Sequence, residues 1–170
     1  MLNKQWRVDM EKYKNIVLKF LNDTKLKYEV YETKDRCRFK LLFEGLRGAY
    51  RRLQVIILLD EYTIQTVVYL PSTIDTNASS CIIELITRLN YNLKLGKFEF
   101  NIDSGEIKFQ LGQSIAVLES TNVGSVLEIM LYQSLFMADG ASVGIEDAIK
   151  GELTSNQIFD RIINSRYRVR

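Results

Sequence analysis

The residue types that run most protein chemistry near neutral pH are thin in this chain, and histidine is absent altogether. Without imidazole there is no Ser–His or Cys–His nucleophile pair, and no side chain whose unperturbed pKa lies near neutrality. Cys37 and Cys81 are the only thiols, so a four-ligand zinc site of the ordinary kind cannot be assembled within one chain. Both fall on core-facing positions of a strand and a helix, which predicts buried free thiols rather than a bridge or a reactive site. Carboxylates, lysines and tyrosines with displaced pKa values remain as acid–base groups. The pairs Asp60/Glu61 and Glu99/Glu106 lie at turns or on facing strands with no nucleophile or proton relay beside them. They read as exposed solubilising charge. Asp103 has no partner acids in calcium-loop spacing, and neither GxxxxGK[ST] nor GxGxxG occurs. No catalytic, cofactor-binding or metal-binding residue is assigned and no cofactor is expected. An enzyme built on carboxylates and a hard metal is the remotest alternative.

Positive charge is more concentrated. Lys34, Arg36, Arg38, Lys40, Arg47, Arg51 and Arg52 fall in a stretch opposed only by Asp35 and Glu44. On an alternating strand Arg36, Arg38 and Lys40 project from one face. Such a face suits an acidic protein or a nucleic acid. The commoner role of these residues is a solvated sheet face that resists edge-to-edge pairing. Gly45-Leu46-Arg47-Gly48 is formally a GxxG, but both flanks read as strands, so a flexible connector is expected. The basic end Arg166–Arg170 reads as a frayed terminus, and Trp6 as packing the first helix onto the sheet. Met130 and Met137 are expected in the core.

The elements that hold these residues follow from hydrophobic period. Met10, Tyr13, Ile16, Val17, Phe20 and Leu21 recur at helical steps, with Asp9 as the expected cap. Four strands follow: Leu26–Tyr31, Cys37–Glu44, Leu53–Leu59 (apolar on both faces) and Tyr62–Leu70, stopped by Pro71. A second helix carries Ala78, Ile82, Leu85, Ile86 and Leu89. Phe98, Phe100 and Ile102 then alternate with polar residues, as do Ile107, Phe109 and Leu111, around a turn at Asp103-Ser104-Gly105. Asn122 caps a third helix, a separate short helical turn follows over Ile145–Lys150, and Thr154–Gln157 has the form of a capping box opening a last helix.

The chain has 170 residues, 46% hydrophobic and 26% charged, with one proline and a formal charge of +2. That composition fits one domain with one core, and the charge is too mild to imply nucleic acid by itself. No apolar run approaches the roughly 18 to 20 residues a membrane helix needs. The start shows no apolar segment of signal-peptide length, so a cytoplasmic protein is expected, with no membrane partner.

The helix end RLNYNL (Arg88–Leu93) followed by LGKFEFNIDSGEIKFQ (Leu95–Gln110) resembles the YbjN-like family. The resemblance lies in the Asn-containing helix end, the strand beginning near a glycine and the acidic-Gly turn. It implies a type III secretion chaperone-like α+β fold: an antiparallel sheet with helices packed largely on one face, in the order α-β-β-β-β-α-β-β-α-α. The absence of a linker, repeat or composition shift gives a single domain over residues 1–170, with a helical C-terminal extension from about 143. The family is described as bacterial sensory or stress regulators without an established reaction. Chaperones of the same fold are commonly homodimers that bind extended polypeptide segments.

The expected function is thus a non-catalytic protein-binding module, a bacterial regulator or chaperone-like protein whose partner is another protein or peptide. The alternative from another class is a nucleic-acid-binding protein using the basic segment 34–52, with Arg36, Arg38, Lys40, Arg51 and Arg52 as the candidate surface. A homodimer is also expected. The second helix has an apolar arc wider than one sheet face requires, so Ile83 and Ile86 are left over once Ile82, Leu85 and Leu89 turn inward. The competing outcome is that the region after Val123 folds back and buries that surplus within one chain.

Overall fold

The alternating segments form one six-stranded antiparallel sheet. In chain order the elements are α1 (Leu2–Asp23), β1 (Tyr28–Glu32), β2 (Arg36–Glu44), β3 (Arg52–Asp60), β4 (Thr63–Thr73), α2 (Ser79–Tyr91), β5 (Lys97–Phe100), β6 (Glu106–Ser114), α3 (Val123–Lys150) and α4 (Ser155–Arg166). The computed structural model describes residues 2–44, 46–74 and 79–166. The strand order is β1-β2-β3-β4-β6-β5. The period of two assigns the faces: Cys37, Phe39, Leu41, Leu53, Val55, Ile57, Leu59, Ile64, Val68, Ile107, Phe109 and Leu111 are buried on one of them. Among the described residues all four helices belong to that side, with α2 over β5, α3 over β3, β4 and β6, and α4 against α2 and α3. This is an α+β fold with an open antiparallel sheet.

Buried polar groups fix α3 on the central strand. The Thr66 hydroxyl donates to the Met130 carbonyl at 3.1 Å and lies 2.6 Å from the Ser134 hydroxyl, both residues being fully buried. Polar groups buried this deeply are tolerated because they satisfy one another. At the other margin, Asn90 meets β5 with both ends of its amide. Its Nδ2 donates to the Phe98 carbonyl at 2.9 Å and its Oδ1 accepts from the Phe98 amide at 2.8 Å. The free edge of β5 is thereby occupied by a side chain instead of another strand.

Several boundaries differ from the sequence expectation. The first helix starts well before Asp9, which sits inside it. The strand at Phe98 ends at Phe100, and Ile102 is exposed in the turn, because Asn101 Oδ1 accepts from the Asp103 and Ser104 amides and turns the chain early. Asn122 occupies the cap position of α3 without a side-chain cap bond. The expected break before Ile145 does not exist, since α3 is one helix of 28 residues. Gly144, just before the expected break, serves close packing. A Cβ on Gly144 would collide with Ile162 and crowd Ile158 of α4. The helical region from about 143 packs on the rest of the chain, with Ile145 and Ala148 in the core. The capping box does form: Thr154 N donates to Gln157 Oε1 at 3.0 Å and Gln157 N to Thr154 Oγ1 at 3.4 Å. The Trp6 side chain and residues 167–170 lie outside what is described.

Candidate protein-binding surfaces

On β2 the alternation that buries Cys37, Phe39 and Leu41 sends Arg36, Arg38, Lys40 and Leu42 to the uncovered face of the sheet. There they meet the outward residues of β3 and β4. Lys40 is in register with Ile56, and Ile56 with Val67. Arg38 is in register with Leu58 on one side and Tyr31 on the other. The middle of this face is therefore aliphatic, with Ile56, Leu58 and Val67 adjacent and Leu42 one row away and 56% exposed. Gln54, Gln65 and Gln110 fill between them, Gln110 donating to Gln65 at 2.8 Å.

The basic residues do not gather into one patch. Arg36 lies in register with Asp60 at one end of the β2–β3 pair, while Arg52 lies in register with Glu44 at the other. That separation is eight residues of strand, about 27 Å. Arg52 is ion-paired with Glu44 at 2.9 Å, and Lys40 lies 3.6 Å from Glu29. Glu29 is held below the usual carboxylate range by a hydrogen bond from Tyr31 and then by the Lys40 charge. Arg51 is exposed in the bend before β3, away from Arg36 and Arg38. What remains of the expected basic surface is Arg36 and Arg38 beside Leu58, Tyr31 and Ile56.

The connector at Gly48 is anchored, contrary to expectation. Gly48 N donates to Asp139 Oδ1 at 2.8 Å, Arg47 N to Asp139 Oδ2 at 3.3 Å and Ala49 N to Ser142 Oγ at 2.8 Å. A Cβ on Gly48 would collide with Ser142 and Asp139. Just beyond it, the Tyr50 hydroxyl lies 2.6 Å from the Ser72 hydroxyl, and both donate to Glu146 of α3. Burial, then the Glu146 hydrogen bond, push the Tyr50 phenol far above its ordinary range. A phenol held protonated in this way is neither base nor nucleophile, and no imidazole activates Ser72. The cluster ties the start of β3 and the end of β4 to α3.

The surroundings of both thiols disfavour the thiolate, and of the two expected to be buried only Cys37 is, Cys81 being half-buried. Cys37 is buried and its pKa is pushed up to about 11 by that burial, while burial and then Glu84 also raise Cys81. Among the described residues no three Cys, Asp or Glu side chains are grouped so that they could hold a metal ion, and no helix is long and apolar enough to cross a membrane.

The surplus on α2 is smaller than its sequence suggests. Ile86 is buried with Ile82, Leu85 and Leu89, and only Ile83 stays out, at 43% exposure. The correction has a simple cause: α2 is flanked by β5, α3 and α4, so the C-terminal region covers its wide arc within one chain. Among the described residues a line of exposed apolar side chains lies on α3, with the Tyr132 ring packed edge-on against Phe43 of β2 at 6.2 Å. Ile129, Tyr132, Phe136 and Val143 are all exposed, Phe136 at 61%. Their steps of three, four and seven residues place them on one ridge, opposite the buried Leu127, Ser134, Ala138, Ala141 and Ile145. A groove of about 470 Å³ opens along the second half of this ridge between Arg47 and Arg161, floored by Phe136, Gly140, Val143 and Gly144. Sequence reasoning missed it because Phe136 and Val143 alternate with genuine core positions in a helix apolar nearly all round. No family model, curated protein or solved structure matches the chain.

Proposed function

We propose that the protein is a non-catalytic protein-binding module, a cytoplasmic regulator or chaperone-like protein of the YbjN-like kind, whose open sheet face takes an acidic segment of another polypeptide. The observation that carries this reading is the uncovered face of the six-stranded sheet, where Leu42, Ile56, Leu58 and Val67 form an aliphatic centre beside Arg36 and Arg38. A segment alternating apolar and acidic residues matches both features at once: its apolar side lies on the aliphatic centre and its carboxylates reach the two arginines. The chaperone-like fold suggested by the element order agrees with this use.

Affinity capture from the host lysate at moderate salt tests the proposal. The wild-type chain is expected to retain a polypeptide that resists nuclease and is lost when Arg36 and Arg38 are both changed to Glu. Retention of nuclease-sensitive material with a steep salt dependence, lost on neutralising Arg36, Arg38, Arg51 and Arg52, would establish the nucleic-acid reading in its place.

A further inference from the structure

The groove beside α3 has walls that the fold itself sets in place. Its floor is the stripe Phe136, Gly140 and Val143, at steps of four and three residues on one face of the helix. Gly140 carries no side chain, so the stripe is hollow between the Phe136 ring and the Val143 methyls. One wall is the Arg47–Gly48 backbone, pinned to Asp139, and a Cβ on Gly48 would strike that carboxylate and Ser142. The other wall is α4, drawn onto α3 where Gly144 lies against Ile162. Both walls are therefore held by backbone contacts, and the hollow of about 470 Å³ is preformed.

Four charged side chains border this hollow, and three of them are committed. Asp139 accepts from two backbone amides, and Asp147 and Arg161 approach each other at 3.5 Å. Among the described residues no carboxylate lies within ion-pairing distance of the exposed Arg47 guanidinium. We infer that this groove is a small-molecule site that takes an apolar monocarboxylic acid, its body in the hollow over Gly140 and its carboxylate on Arg47. A guanidinium holds a carboxylate through two parallel hydrogen bonds, which fixes the head while the apolar floor accepts a chain or a ring. A single negative charge suits the site better than a dianion, because Asp139 and Asp147 stand at its rim and repel a second charge. Size favours a small molecule over a macromolecule. The hollow lies within the range of about 300 to 1,000 Å³ that small ligands occupy. Its two exposed apolar side chains, Phe136 and Val143, fall far short of the roughly 20 residues that a protein partner would cover. The groove lies on the helical side of the molecule, so the inference stands apart from whatever the open sheet face binds.

The test is a methyl-resolved NMR titration of the full chain with 3-phenylpropionate, its uncharged amide and phenyl phosphate as probes. Phenylpropionate is expected to move the methyls of Val143 and Ile162 and to bind at least about 10-fold more tightly than the amide. Phenyl phosphate should bind no more tightly than phenylpropionate. Arg47→Gln keeps the backbone amide that Asp139 holds, so the loop stays in place. It should bring acid and amide within about twofold of each other by weakening the acid alone. Phe136→Ala should weaken acid and amide alike, whereas Arg52→Gln, which removes an arginine paired with Glu44, should change neither. No saturable shift with any probe up to about 5 mM, shifts confined to other methyls, or an acid-over-amide preference that survives in Arg47→Gln would each overturn the inference. So would tighter binding of phenyl phosphate, or a chain that sediments as a dimer and is split by Phe136→Glu, since the groove would then belong to a phosphorylated ligand or to a second copy.

Discussion

The two broad outer surfaces of the molecule, the open sheet face and the ridge of α3, are built from opposite materials. On the sheet face nearly every charge has a neighbour of opposite sign: Lys40 with Glu29, Arg52 with Glu44, Lys97 and Lys108 with Glu99. Of the aliphatic residues there, Ile56 and Leu58 are half-buried, Val67 is buried by its neighbours and Leu42 is exposed. On α3 four large apolar side chains stand in line; of the acids beside them Asp139 is committed to backbone amides and Asp147 is paired with Arg161. A surface of the first kind is soluble alone and suits reversible contact tuned by salt. A surface of the second kind is costly to leave wet and suits lasting contact. The anchored loop at Arg47–Ala49 ties the strand end of the sheet to α3 between these two surfaces.

The most damaging change should be one that disturbs what holds the ridge in place. Gly144→Val drives a branched side chain into Ile158 and Ile162. Overpacking of this sort costs about 2 to 3 kcal/mol, read as a lower urea midpoint at unchanged slope, and should loosen α4 and the ridge together. Releasing that loop comes next. Asp139→Ala leaves the Gly48 and Arg47 amides without their acceptor, at a cost of about 1 to 2 kcal/mol. Hydrogen exchange should accelerate at residues 47–49 while β2 and β3 stay protected. An unchanged exchange rate there would show that the loop is held by something other than Asp139.

Acid gives the smallest effect and separates the faces chemically. Burial raises the Glu99 pKa, but hydrogen bonds from Lys97 and then Lys108 more than reverse this, and the folded value ends below the ordinary one. A depressed folded pKa means that the contribution is present above the unfolded pKa, near 4.3, and is lost as pH falls through the folded value. Glu99→Gln should therefore cost at most about 0.5 kcal/mol at pH 7 and nothing at pH 2 in acid unfolding followed by circular dichroism.

Much of this frame was legible in the residues. The two-residue period assigned the strand faces, Thr154–Gln157 announced its helix start, and the Asn in RLNYNL proved to be Asn90, which closes the β5 edge. What stayed hidden depends on contacts distant in sequence. Nothing local says that Gly48 will lie on Asp139, that α4 will bury Ile86's helix, or that Gly140 and Gly144 continue a helix rather than end one. Nor does a run of positive charge reveal that antiparallel register sets Arg36 and Arg52 at opposite ends of a hairpin. The outward ridge of α3 was obscured for the converse reason: in a helix rich in apolar residues on every side, periodicity does not separate the face that packs from the face left over.

The docking role of the sheet face is tested most directly by methyl-resolved NMR of the chain with its captured polypeptide segment. Chemical-shift changes are expected at Leu42, Ile56, Leu58 and Val67 and not at Ile129 or Val143, and they should vanish in the Arg36→Glu, Arg38→Glu double variant. Shifts confined to Ile129 and Val143, or persisting at full size in that variant, would contradict it.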